Sequence, residues 1–225
     1  MKRNNLKKPE DHYLGERLKR IDKWKKERKI PNSSKVIPIQ EAFSSKQWVL
    51  PMEQVMEILR NARVFALTDC ECRTHYKRCK NPVEVCLLIN DAADIYISQG
   101  KAKLISLKEA MKRVKIANDS GLVHLTIYNP EQYVYAVCSC CTCCCHDLQF
   151  LKLYGRGDLI SHSDYYAKTD MDLCTHCGKC IERCIFDIRI WEDNHMKLNE
   201  KGCYGCGLCV PTCPVKAIVM KLRDK

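Results

Sequence analysis

The sequence predicts an α+β protein in three parts: a basic helical leader, a cysteine-rich α+β domain and a compact C-terminal cysteine module. Three observations lead there. Helical and strand-like apolar patterns alternate through the middle of the chain. The 18 cysteines among 225 residues gather in tight groups. The last group repeats itself, as Cys174-x2-Cys177-x2-Cys180-x3-Cys184 and Cys203-x2-Cys206-x2-Cys209-x3-Cys213, with Pro214 directly after the second. The expected boundaries are 1–45 for the leader helix and linker, 46–164 for the α+β domain and 165–225 for the module.

The leader carries most of the charge. Residues 1–35 hold thirteen Lys or Arg against five Asp or Glu, a balance of +8 within a chain total of +11. Leu14, Leu18, Ile21 and Trp24 recur at helical spacing among those bases, which predicts an amphipathic helix from about Asp11 to Lys29. Its apolar stripe either packs on the protein's own core or docks an acidic partner. Nucleic acid is not expected, because no zinc-finger spacing or basic–aromatic sheet face is present. Pro31 to Ser34 reads as a linker.

In the middle domain, Pro51 suits the first turn of a helix reaching about Ala62. Val64 to Thr68 reads as a short buried strand leading into Cys70 and Cys72, whose alternation would place both thiols on one face. Pro82 is taken to open another helix, with Cys86, Leu87 and Ile89 inward. Ser106 and Glu109 form a capping box before a helix over about Leu107 to Ala117. Leu122 to Ile127 and Tyr133 to Cys138 read as a strand pair turning at Asn129-Pro130.

Each C-terminal run has the ligand spacing of a bacterial ferredoxin holding two four-iron clusters. Three thiolates at i, i+3 and i+6 can curl around one cube, and the fourth, further along, leaves for the other. Cluster one is thus assigned Cys174, Cys177, Cys180 and Cys213. Cluster two takes Cys203, Cys206, Cys209 and Cys184. Structural zinc is the competing reading of a lone Cys-x2-Cys, but zinc requires neither the third and fourth cysteines at these spacings nor their repetition. Residues 170–222 resemble a two-cluster bacterial-type ferredoxin, which implies a ferredoxin-like 2[4Fe-4S] module. One departure is Ile185, which stands where such ferredoxins often carry Pro; this bears on local rigidity rather than ligation.

Two upstream groups carry further metal chemistry: Cys70, Cys72, Cys79 and Cys86, and Cys138, Cys140, Cys141, Cys143, Cys144 and Cys145, followed by His146. Ten closely packed thiols need a metal to accept their electron density, or they would oxidise. The first four make a sensible ligand count for one ion or cluster. Adjacent cysteines of the second group cannot all bind one metal without backbone strain, so some serve a neighbouring site. Arg73 either offsets the charge of such a centre or is a plain surface charge. His124 reads as a packed core histidine, and His176, inside the first ferredoxin loop, as a group that tunes a cluster.

The order of elements resembles a larger group, the four-iron–four-sulfur dicluster proteins of anaerobic bacteria and archaea. The resemblance runs over about residues 45–222. It rests on Cys70-x-Cys72-Arg73, on Cys79, Pro82 and Cys86, on Gly121 to His124, and on the Cys138–Cys145 run before the ferredoxin module. It implies electron transfer with capacity for one or more additional Fe-S clusters, and no particular substrate.

The function expected is that of an iron–sulfur electron carrier or oxidoreductase subunit, relaying single electrons through two [4Fe-4S] clusters to or from an upstream cysteine-held centre. A redox partner protein is implied, with docking through the basic helix as one route. The alternative is a reductase-type enzyme with substrate chemistry at the upstream site. No phosphate-cradling glycine loop and no ordered Ser/His/Asp set is present. The charged N-terminus lacks a signal-peptide core, and no apolar run reaches the roughly 18 residues that span a bilayer. A cytoplasmic, reducing and anaerobic setting is the expectation.

Overall fold

The structure, a computed structural model, describes residues 11–27, 34–37, 61–128 and 134–223. They form two compact units, the first ending at Ser161 and the second beginning at His162; Val36 and Ile37 group with the second. No described helix is long and apolar enough to cross a membrane.

The first unit opens with α1 (His12–Lys26), capped by Asp11, whose carboxylate accepts from the Leu14 N–H at 3.0 Å. Leu14 and Ile21 are buried against Phe150 and Leu159, with Leu18 and Trp24 beside them. The leader's apolar stripe is therefore spent inside its own unit. Ion pairs fasten the same face: Arg156 meets Asp22 at 2.7 Å, and Lys25 meets Asp158 at 2.6 Å. The expected helix at 51–62 and the Asn129-Pro130 turn lie outside the described residues, apart from Asn61, which is helical. The expected linker overlaps β1 (Ser34–Ile37) at Ser34.

The core of this unit is a seven-stranded sheet in the order β4-β2-β3-β6-β5-β1-β7. The remaining strands are β2 (Phe65–Asp69), β3 (Glu84–Ile89), β4 (Ala102–Leu104), β5 (Val123–Tyr128), β6 (Val134–Cys140) and β7 (Ile160–Ser161). β3 corrects the helix expected after Pro82. Every residue from Val85 to Ile89 is buried, as in a central strand covered on both faces, whereas a helix would expose part of that run. Asn90, with φ +52°, turns the chain out of β3 into α3 (Asn90–Ser98), an element with no clear periodicity in sequence. The capping box holds in half: Ser106 Oγ accepts from Glu109 N–H, while the Glu109 carboxylate turns to Arg113 at 2.8 Å. It starts α4 (Leu107–Asp119), two residues longer than expected.

The second unit is small and loop-rich. β8 (Tyr165–Thr169) pairs antiparallel with β11 (Ile218–Leu222), and β9 (Arg189–Glu192) with β10 (His195–Leu198). Between them lie the two cysteine runs, the first leading into α6 (Lys179–Arg183).

Candidate metal centres

In the second unit, the two cysteine runs curl around two cavities. One is lined by Cys174, Cys177, Cys180 and Cys213. The other is lined by Cys184, Cys203, Cys206 and Cys209. Each cavity thus collects three thiols from one run and the fourth from the other. The donor set suits a four-iron cluster, whose ligands are four thiolates. Burial pushes the thiols of Cys206 and Cys209 up, the latter to about 12. Backbone amides aim at the sulfurs: Ala167 N–H donates to Cys203 Sγ at 3.5 Å, and Ala217 N–H to Cys213 Sγ at 3.2 Å.

Glycine makes the second loop possible. Gly205 has φ +75°, and a Cβ there would sit 2.0 Å from the Tyr165 carbonyl oxygen and 2.7 Å from Ser163 Cβ. The loop presses its bare backbone onto the start of β8. His176 lies in the first loop at φ +50°, where its Nδ1 accepts from Met196 N–H at 3.0 Å. It positions the loop against β10.

Arg189 is the residue that sequence reasoning missed. It is 1 % exposed and donates to Thr169 Oγ1 at 2.8 Å and Ala167 O at 3.2 Å. Its Nη1 lies 3.9 Å from Cys180 Sγ, while the side chain also lines the cavity of Cys184, Cys203, Cys206 and Cys209. A fixed positive charge therefore faces thiols of both sets. The sequence offered no local signal, since Ile188 and Ile190 on either side assign the apolar face to themselves and Arg189 to the opposite one.

In the first unit the ten upstream cysteines regroup. Cys70 and Cys72 do not alternate along a strand. Cys70 caps α2 (Glu71–Tyr76) and Cys72 is its second residue. Cys86 sits in β3 rather than at a helix start, and Cys138 and Cys140 share one face of β6. Cys70 interacts with Cys72 and Cys86, Cys86 with Cys138, and Cys140 with Cys145. These six thiols line an open cleft, which Cys141, Arg17, Arg73, Tyr135 and His146 also border. Cys79 is elsewhere, and belongs with Cys141, Cys143 and Cys144.

The cleft thiols diverge: neighbouring thiols and burial push Cys72, Cys86 and Cys140 up, whereas Cys70 is held down. Hydrogen bonds from Cys72 and Cys86, with the charge of Arg73, hold the Cys70 thiol far below its ordinary value, to about 2. Arg73 is buried rather than a surface charge, donating to Pro82 O at 2.7 Å and also to Ser139 O. Its Nε, like Arg17 Nε and His146 Nε2, is buried with no partner among the described residues. His146, at the start of α5 (His146–Tyr154), places Nδ1 3.4 Å from Cys72 Sγ; burial and Arg17 keep its imidazole neutral, with its pKa down near 3. His124 is a core residue, 3.0 Å from Ser139 Oγ.

These features define a two-cluster iron–sulfur module following a cysteine-rich α+β unit. Residues 167–220 match the family profile of the 4Fe-4S dicluster domain, so the chain carries a C-terminal ferredoxin-type domain with two [4Fe-4S] clusters. The chain is 40% identical over 60 residues to a pyruvate synthase subunit of Methanothermobacter marburgensis, covering 25% of this chain and 64% of that one. It is 41% identical over 51 residues to a ferredoxin of Methanocaldococcus jannaschii, covering 22% and 31%. It is 36% identical over 52 residues to an archaeal-type glutamate synthase of Dehalococcoides mccartyi, covering 22% and 10%. The chain thus spans from a tenth to under two thirds of these relatives' own lengths.

Proposed function

We propose that the protein is an iron–sulfur electron carrier or the electron-transfer subunit of an oxidoreductase. The observation that carries this is the pair of four-cysteine cavities, each completed by a thiol from the opposite run. In this reading Cys174, Cys177, Cys180 and Cys213 hold one [4Fe-4S] cluster, and Cys203, Cys206, Cys209 and Cys184 the other. Such clusters supply one-electron couples whose potentials the surroundings set. The chain's contribution is to fix those surroundings. Ala167 and Ala217 donate to ligand sulfurs, Arg189 supplies a buried positive charge, and Gly205 admits the close loop. Cys177 is exposed whereas Cys203, Cys206 and Cys209 are buried, which favours the Cys177 side as the port for an external redox partner. The basic face of α1, with Lys19, Arg20, Lys23 and Lys26 exposed, is a second docking surface for an acidic partner.

The cleft thiols Cys70, Cys72, Cys86, Cys138, Cys140 and Cys145 suit an additional iron–sulfur centre that exchanges electrons with the dicluster module. In this reading residues 1–45 form a leader whose α1 packs on the first unit, 46–164 hold the upstream centre, and 165–225 form the dicluster module. A second reading has one specific support. The cleft is far larger than either dicluster cavity and is bordered by Arg17, Tyr135 and His146, which leaves room for a small molecule to be reduced there. The described residues of the cleft do not by themselves identify that substrate.

The test is anaerobic reductive titration of the full chain, followed by electron paramagnetic resonance. The reading expects reversible uptake of one electron by each dicluster centre. It also expects Cys184→Ser to alter the signal shared with Cys203 to Cys209 while the other persists. Iron-loaded protein with no reversible electron uptake sinks the proposal. Cyanide separates the second reading, since only an iron with an open position changes its spectrum.

A further inference from the structure

We infer that Cys79, Cys141, Cys143 and Cys144 bind a single tetrahedral metal ion, zinc or ferrous iron, and that this site is separate from every iron–sulfur cluster in the chain. The four Sγ atoms all lie within 4.8 Å of one another. Cys79 Sγ is 3.8 Å from Cys141 Sγ and 3.9 Å from Cys144 Sγ, and Cys144 Sγ is 3.7 Å from Cys143 Sγ. A tetrahedral ion with metal–sulfur bonds of about 2.3 Å has sulfur–sulfur edges of about 3.8 Å. The three separations match that edge. They are far too long for disulfides, whose sulfurs sit about 2.04 Å apart.

A cube does not fit the same thiols. Its four irons keep the outer thiolates well apart, as around the two dicluster cavities, where the cysteines do not converge in this way. Among the described residues, the Cys79 tetrad is the one group of three or more Cys, His, Asp or Glu ligand atoms within 4.8 Å. Four thiolates leave no open position, which is the pattern of a structural ion rather than a catalytic one.

Local structure explains how adjacent cysteines converge, contrary to the strain expected from sequence. After β6 the chain makes a tight turn: Cys144 and Cys145 N–H both point back to Cys141 O, at 3.4 and 3.0 Å. The turn swings Cys141, Cys143 and Cys144 to one side. Cys79 closes the set from the loop after α2, and its neighbour Arg78 locks the two segments. Arg78 donates to Cys143 O at 3.3 Å and to Gln149 Oε1 at 2.9 Å, and its guanidinium lies over the Tyr76 ring at 4.1 Å. Gln149 in turn donates to Cys144 O at 2.9 Å. Val85, Ala117 and Leu122 pack beneath the tetrad. The ion would staple the α2–β3 loop to the β6–α5 turn, and so set the cysteine cleft beside it.

The experiment measures iron, zinc and acid-labile sulfide in the full chain purified without air. Four-iron clusters contribute metal and sulfide equally. The inference therefore expects total metal to exceed sulfide by one per chain, however many clusters are present. If the excess is zinc, X-ray absorption at its edge should show four sulfurs at about 2.3 Å and no metal–metal shell. If it is iron, Mössbauer spectra should show a separate high-spin ferrous doublet. Cys143→Ser should remove the excess ion and leave sulfide unchanged. Equal metal and sulfide, an excess ion with nitrogen or oxygen neighbours, or sulfide lost together with the ion in Cys143→Ser would overturn it. The wild-type spectra decide even if the variant does not fold. Absence of sulfide altogether would sink the cluster reading and leave this one standing.

Discussion

Replacing Gly205 by Ala separates backbone freedom from close approach. Gly205 and Gly155 share a left-handed conformation, φ +75° and +66°, so either substitution carries the same penalty of about 1–2 kcal/mol for a side chain in that region. Their surroundings differ. A Cβ at Gly155 meets nothing within 4 Å, whereas at Gly205 it lands 2.0 Å from the Tyr165 carbonyl oxygen, which belongs to β8 and cannot yield as a flexible side chain would. Ordinary contact is about 3.5 Å or more, so the loop from Cys203 to Cys209 must back away by more than an ångström. Such a shift misplaces Cys203, Cys206 and Cys209 together. The assay is iron and sulfide per chain beside thermal unfolding, both anaerobic. Gly155→Ala should lose a few degrees of stability and no iron; Gly205→Ala should lose about four irons and four sulfides, the content of one cluster. If Gly205→Ala keeps its full iron and unfolds with Gly155→Ala, the loop does not rest on β8 as described.

Three further outcomes are expected. Arg189→Gln removes a positive charge 3.9 Å from Cys180 Sγ; with an effective dielectric near 20 that interaction is about 4 kcal/mol before desolvation is deducted, so dicluster potentials should fall by on the order of 100 mV in a redox titration, and unchanged potentials would refute the role. Leu14→Ala should destabilise the first unit by about 2–5 kcal/mol in denaturant titration, because Leu14 is fully buried against Ile21, Phe150 and Leu159; a neutral result would mean that α1 is not part of the core. Burial holds His124 neutral with its pKa down near 4, below the ordinary value near 6.5 of the unfolded chain. A depressed imidazole contributes stability above pH 6.5 that is lost as pH falls toward 4. Wild type should therefore lose about 2 kcal/mol more than His124→Gln between pH 7 and 5, and parallel curves would refute the assignment.

Legibility followed the range of the interactions. The dicluster runs were readable because chelation by three thiols at i, i+3 and i+6 is local, and the tight loops come from residues a few positions apart. The helix of Leu14 to Trp24 and the strand pair around Leu125 and Val137 were readable for the same reason: their periodicity is written in neighbouring residues. β3 was misread because a continuous apolar run has no period, and only its place between β2 and β6 decides between strand and helix. That error hid how the upstream thiols divide. Cys86 meets Cys138 only through the pairing of β3 with β6, and Cys79 meets Cys141 only through a loop held by Arg78. Arg189 looked like any strand arginine, since nothing local announces that its strand faces two cavities.

The most direct test of the central claim is the iron and acid-labile sulfide content of the full chain purified without air. The account predicts at least about eight irons and eight sulfides per chain, two four-iron centres, in brown protein. A colourless, folded chain carrying zinc and no sulfide would contradict it.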